Sequence, residues 1–130
     1  MMQSLLGNSR KPDITFYSSG RIDITSRLSK RLGIESGDVI DILFDGYEFY
    51  LYVREKGSTI IGKHEAQCHP TSPRCRRCRN FRVYSRRICE RILRAAGVED
   101  HARIIAGGDA TLTQGKAVII IPKSAELFIA

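Results

Sequence analysis

The densest chemistry in the chain is a run of guanidinium groups. Arg74, Arg76, Arg77, Arg79, Arg82, Arg86, Arg87, Arg91 and Arg94 lie close together, no lysine stands among them, and Phe81 and Tyr84 are interleaved. Residues 64–98 contain only Glu65 and Glu90 as acids, so this segment carries as much positive charge as the whole chain, whose formal net charge is +7. Residues 1–57 are neutral. Charge gathered in this way points to a polyanion partner. Arginine suits phosphate, because its planar fork donates to two oxygens at once and also stacks on bases. Aromatic side chains in the same stretch offer faces to unpaired bases. The plainer reading is a solvated basic face, balanced by acidic loops around Glu35, Asp38 and Asp45.

The cysteines offer a second chemistry. Cys75 and Cys78 have the CxxC spacing that lets two thiolates reach one tetrahedral ion, and Cys68 with either His64 or His69 would complete a Cys₃His zinc site. Neighbouring arginines favour thiolates. Ordinary reduced thiols are the competing reading, and Cys89, on an apolar helical stripe, reads as core. Catalysis finds little support. The sequence has no P-loop, GxGxxG, HExxH or nucleophile elbow. Asp38, Asp41 and Asp45 could suggest a metal-dependent nuclease but read better as loop caps, so a non-enzyme is expected.

These groups must be positioned by short elements. Residues 1–12 read as a flexible tail. Residues 14–17 and 22–24 read as a hairpin whose turn presents Arg21. Thr25 or Ser26 can cap a short helix ending at Gly33, with Leu28 and Leu32 on one face and Arg27, Lys30 and Arg31 largely on the other. Residues 39–44 and 47–54 form a second hairpin about Asp45-Gly46. Both of its faces are rather apolar, so a partner subunit or the C-terminal half must cover them. Residues 59–61 suggest a further strand and residues 64–80 a loop or metal-held knuckle. Ser85 caps a helix over residues 86–96, with Ile88, Cys89, Ile92, Leu93 and Ala96 as its buried stripe. A strand over 102–106, a turn at Gly107-Gly108-Asp109 and an apolar strand over 117–121 follow, and residues 127–129 are expected to pack. No internal repeat stands out.

Residues 20–34, GRIDITSRLSKRLGI, continued by GDVIDILFDGYEFYLYV, resemble the AbrB/MazE/SpoVT type of swapped-hairpin domain over roughly residues 14–54. The resemblance implies interlaced hairpins forming one barrel in a homodimer. It also implies DNA binding in transcription regulation, with Arg21 at the turn and Lys30 beside Arg31 in the basic helix cluster. Thr25 stands where that family usually has proline, and Asp23 where it has an apolar residue.

The expectation is therefore an α+β protein. Residues 13–63 form a swapped-hairpin-like small β-barrel unit, and residues 64–130 add the Arg/Cys-rich loop, a helix and further strands that may share one core with it. Candidate nucleic-acid contacts are Arg21, Arg27, Lys30, Arg31, Arg74, Arg76, Arg77, Arg79, Arg82, Arg86 and Arg87. Alternatives are an RNA-binding or zinc-stabilised module built on residues 74–94, and a dimerisation module without nucleic acid. The absence of a signal-peptide pattern and of an apolar run near the roughly 20 residues that span a bilayer leads to the expectation of a soluble, cytoplasmic protein.

Overall fold

The computed structural model describes residues 11–54, 65–72 and 79–128. Two hairpins and a helix open the chain: β1 (Ile14–Tyr17), β2 (Arg21–Ile24), α1 (Ser26–Leu32), β3 (Ile40–Phe44) and β4 (Phe49–Val53). Then come β5 (His69–Pro70), β6 (Phe81–Tyr84), α2 (Arg86–Ala96), β7 (His101–Leu112), β8 (Gly115–Ile121) and a 3-10 helix (Pro122–Phe128). The expected residues 59–61 strand lies outside the described residues.

Local chemistry explains the helices. Thr25 Oγ1 accepts from the Leu28 amide and Ser85 Oγ from the Ile88 amide, each satisfying an orphan donor at a helix start. Gly33 and Gly97 end the helices in the left-handed conformation, and the following residues, Ile34 and Val98, donate back to Ser29 and Leu93. Neither helix is long enough to be stable alone. Leu28 and Leu32 of α1, and Cys89, Ile92, Leu93 and Ala96 of α2, bury the expected stripes in one common core. Each fully buried leucine or isoleucine stabilises by about 2 kcal/mol.

All strand pairs are antiparallel, in the order β3-β4-β8-β7-β1-β2-β6-β5. The sheet curls until its ends meet. The Ile40 amide donates to the Ala66 carbonyl (3.0 Å), the Cys68 amide to Asp38 (2.7 Å) and the Gly37 amide to Cys68 (2.8 Å). Residues 66–68 thus join β3 to the strand that continues into β5. The segment expected to be a loop supplies this closure through a turn at residues 65–66, with Ala66 at φ 63°, and a bridge of Gln67 to Val39, while Ala66 and Cys68 are buried in the core.

The element order is a repeat that the residues do not display. Strand-strand-helix-strand-strand occurs twice, over β1 to β4 and again over β5 to β8. Exchanging the two halves leaves every neighbour relation in the closed ring unchanged. The second half pairs with the edges of the first, β2 with β6, β1 with β7 and β4 with β8, and its Cys89, Ile92, Ile104, Val118 and Ile120 share one buried core with Ile14, Phe16, Ile40 and Leu51.

Three local expectations are corrected. Gly107-Gly108-Asp109 is no turn; β7 runs through it with a register shift between Ala106 and Asp109, and the chain reverses at residues 113–114. Gly107 packs closely there: a Cβ would lie 3.3 Å from Ile121 Cδ1, which would have to shift slightly. The return strand begins at Phe49 instead of Tyr47, because the Asp45 carboxylate accepts from the Tyr47 and Glu48 amides and lengthens the turn. Near the C-terminus Ser124 and Ala125 are buried while Leu127 is exposed.

Candidate nucleic-acid interface

Alternation along the strands sorts side chains between the core and the outer face of β7-β1-β2-β6. Ile14, Phe16, Ile22, Ile24, Phe81, Val83, Ala102 and Ile104 point inward. The residues between them point outward, and strand register sets them in two cross-strand rows. Tyr17 is opposite His101, Arg21 is opposite Tyr84, and the β1–β2 register brings Tyr17 beside Arg21, giving His101, Tyr17, Arg21, Tyr84. The second row reads Arg103, Thr15, Asp23, Arg82, His69.

The first row is a stack of flat groups. The Tyr17 and His101 rings lie 6.1 Å apart at 30°, and the Arg21 guanidinium carbon sits 4.1 Å over the Tyr17 ring. Tyr84, 55% exposed, ends the row. In the second row Asp23 lies between two arginines, 3.3 Å from Arg21 and 3.0 Å from Arg82. Arg21 is held firmly protonated: its contact with Tyr17 is the largest cause, burial opposes it, and Asp23 adds to it. Arg103 is exposed and has no ion pair among the described residues. Arg86 borders the same surface. A Cβ on Gly20, in the β1–β2 turn at φ 97°, would lie 2.9 Å from Arg86 Cγ, so glycine lets the helix start against the turn.

The structure brings Arg21, Arg82 and Arg86 together and places the other candidates elsewhere. Arg27, on α1, is 3.5 Å from Asp13. Lys30 is exposed on α1, with no ion pair among the described residues. Arg31 donates to the Gly107 carbonyl (2.6 Å) and to Asp109 (2.9 Å). Arg79 is exposed just before β6. Arg87 binds Glu65 through two hydrogen bonds of 3.1 and 2.6 Å. Arg74, Arg76 and Arg77 lie outside the described residues. Tyr17, His101 and Arg103 were missed by sequence reasoning. Period-two alternation marks each as outward-facing, but only the strand order reveals that they are neighbours.

Of the proposed metal ligands, His64, Cys75 and Cys78 lie outside the described residues. Cys68 is fully buried in the core, and burial pushes its thiol up to about 12, which disfavours the thiolate a metal needs. His69 follows it on the opposite, exposed face, so one ion cannot take both. No group of three or more His, Cys, Asp or Glu side chains suited to a metal occurs among the described residues. Cys89 is a core thiol that donates to the Arg21 carbonyl at 3.5 Å. No helix among the described residues is long and apolar enough to cross a membrane.

Comparison with protein-family models, with curated proteins and with solved structures gives no match. The functional reading therefore rests on the geometry.

Proposed function

We propose that the chain is a non-enzymatic nucleic-acid-binding protein whose contact surface is the outer face of β7, β1, β2 and β6. One observation carries this reading: the cross-strand row His101, Tyr17, Arg21, Tyr84, flanked by Arg82, Arg86 and Arg103. Bases stack on exposed aromatic faces and on guanidinium planes, and arginine forks take the phosphates. Exposed rings and guanidinium planes of this kind favour unpaired strands, whose bases are free to turn onto them.

The test is fluorescence anisotropy with a labelled 20-nucleotide single strand, DNA or RNA, and the matching duplex. Four arginines at phosphates give a slope of log affinity against log salt of about −3. Losing a stacking partner in Tyr84→Ala weakens binding by about tenfold or more. Asp23→Asn removes the one carboxylate in the rows and strengthens binding. A flat salt dependence together with an unaffected Tyr84→Ala variant overturns the assignment.

A second reading follows from the resemblance of residues 14–54 to swapped-hairpin regulators. It is supported by the ring that stays unchanged when the two halves are exchanged. On this reading the second half takes the place of a partner subunit and completes a swapped-hairpin barrel within one chain, so the homodimer is no longer needed to cover the first hairpins. Duplex DNA is then contacted through Arg21 and Lys30. Arg21→Ala with Lys30→Ala abolishes duplex binding in this case, whereas on the first reading Lys30→Ala alone changes nothing.

A further inference from the structure

Asp23 is out of place on a surface that takes phosphates. It is the one carboxylate in the two cross-strand rows, and it repels a polyanion. Its contacts indicate what it can offer instead. The carboxylate is divided between two arginines: Oδ1 accepts from Arg82 Nε at 3.0 Å, and Oδ2 lies 3.3 Å from an Arg21 amino group. An ionised carboxyl has about four acceptor positions, so each oxygen keeps one unfilled among the described residues. The side chain is 30% exposed. Arg82 donates to Asp23 through Nε, and its terminal amino groups make no hydrogen bond among the described residues.

Strand register ties this carboxylate to the stacking row. Outward positions two residues apart on a strand are separated by roughly 7 Å. Asp23 follows Arg21 by two, and Tyr17 and Tyr84 are its diagonal neighbours across β1 and β6. A base stacked on Tyr84 or on the Arg21 plane therefore extends an edge toward Asp23.

The donors on that edge decide which base gains. Unpaired bases are read on their Watson–Crick edges. Guanine presents two adjacent donors there, N1–H and the N2 amino group, followed by the O6 acceptor. Adenine and cytosine place a ring acceptor beside their amino group. Thymine and uracil have a single N–H between two carbonyls. Each of these three patterns sets a lone pair against the carboxylate. We infer that Asp23 is the base-reading residue of this surface and selects unpaired guanine. Its two oxygens accept from N1–H and the N2 amino group, and an Arg82 amino group donates to O6. This rests on the outer face being the nucleic-acid contact, and it names the strands that contact takes: single strands carrying guanine.

The test uses the whole chain and a labelled 20-nucleotide thymidine strand. Unlabelled eight-nucleotide thymidine strands compete with it, each with one internal base replaced by guanine, hypoxanthine, adenine or cytosine. The guanine strand is expected to bind about tenfold more tightly than the adenine, cytosine and all-thymine strands. Hypoxanthine, which lacks the N2 amino group, falls between. In Asp23→Asn one acceptor oxygen becomes a donor, so the guanine advantage disappears, while strands without guanine bind more tightly because a negative charge is gone. If Asp23→Asn does not fold by circular dichroism, Asp23→Ser takes its place and must show the same loss of preference. If no strand binds, labelled or unlabelled, the nucleic-acid reading falls and this inference with it. Binding without base preference leaves that reading standing and overturns the role of Asp23. So does a guanine preference that survives the substitution. A uniform loss across all strands also overturns it, by making Asp23 only a brace for Arg21 and Arg82.

Discussion

The two halves of the ring finish the same structural task differently. In each, a strand runs past the described residues that close it: the twelve-residue β7 past β1, and the five-residue β3 past residues 66–68. On the β7 side the exposed edge is met by side chains. The Ala106 amide donates to Asp13 Oδ2 (2.8 Å), and Arg31 reaches the Gly107 carbonyl from α1. On the β3 side, among the described residues, the Ile42 amide is met by the Asp41 carboxylate, and a groove lies beneath α2. An edge whose donors and acceptors are filled from its own chain has no offer to make to another. The lesson is that a repeated architecture does not repeat its local contacts: among the described residues, side chains from elsewhere in the chain meet the β7 edge, and a neighbouring carboxylate meets the Ile42 amide of β3.

The largest contrast is expected at the two aspartates. Asp13 is buried, and besides holding the Ala106 amide its carbonyl accepts from the Thr25 amide and hydroxyl. Asp13→Ala leaves a buried donor without its partner and lowers stability by about 2–3 kcal/mol. Asp41→Ala on β3 costs less than about 1 kcal/mol, since water replaces the carboxylate. Urea unfolding of both variants measures this difference. Equal losses would break the comparison, by showing that the β3 edge is as tightly finished as the β7 edge.

The same contrast explains what could be read from the residues. Caps and stops are local chemistry, so Thr25, Gly33, Ser85 and Gly97 bound both helices where the sequence places them. The apolar stripe of α2 is local too. What was hidden depends on contacts across long stretches of chain. Asp13 directly follows the expected tail, and nothing local shows its role until β7 is beside it. Gly107-Gly108-Asp109 has turn composition, yet packing against Ile119 and Ile121 and the Arg31 contact hold it in a strand. The repeat of elements is invisible because burial requires only apolar type at a position, and Leu28 and Ile88 are equally good answers. The outer-face rows are half legible: alternation marks Tyr17, Arg21, Arg82 and His101 as outward, but strand order alone makes them adjacent.

A middle-sized effect separates the two helices. Arg31 of α1 is part of the finished edge, joined to a carbonyl and to Asp109, whereas Arg94 of α2 stands at the groove rim without a counterion among the described residues. Arg31→Ala is expected to lower stability by about 1 kcal/mol, and Arg94→Ala to leave it within about 0.5 kcal/mol. Thermal unfolding in parallel checks both. A neutral Arg31→Ala sharpens the comparison differently, by assigning the closure of the β7 side to Asp13.

The smallest effect lies where the groove beneath α2 meets the ring. Glu65 begins the closing turn and is the one acid tied to α2, accepting from Ser85 Oγ at 2.7 Å and from Arg87. Arg87 first, and then Ser85, hold its carboxyl below the usual range, against a lesser opposing effect of burial. A carboxyl whose folded pKa is depressed stabilises the fold above its unfolded value, about 4.3, and loses that contribution as pH falls through the lower folded value. The side chain is 41% exposed and Arg87 85% exposed, so solvent screening keeps the contribution to about half a kcal/mol or less. Glu65→Gln should therefore flatten a small part of the acid limb of stability against pH while leaving stability at pH 7 nearly unchanged. If Glu65→Gln instead unfolds the chain at pH 7, the Glu65–Arg87 pair is what holds α2 against the ring, and the groove is braced at its end as firmly as the β7 edge is along its length.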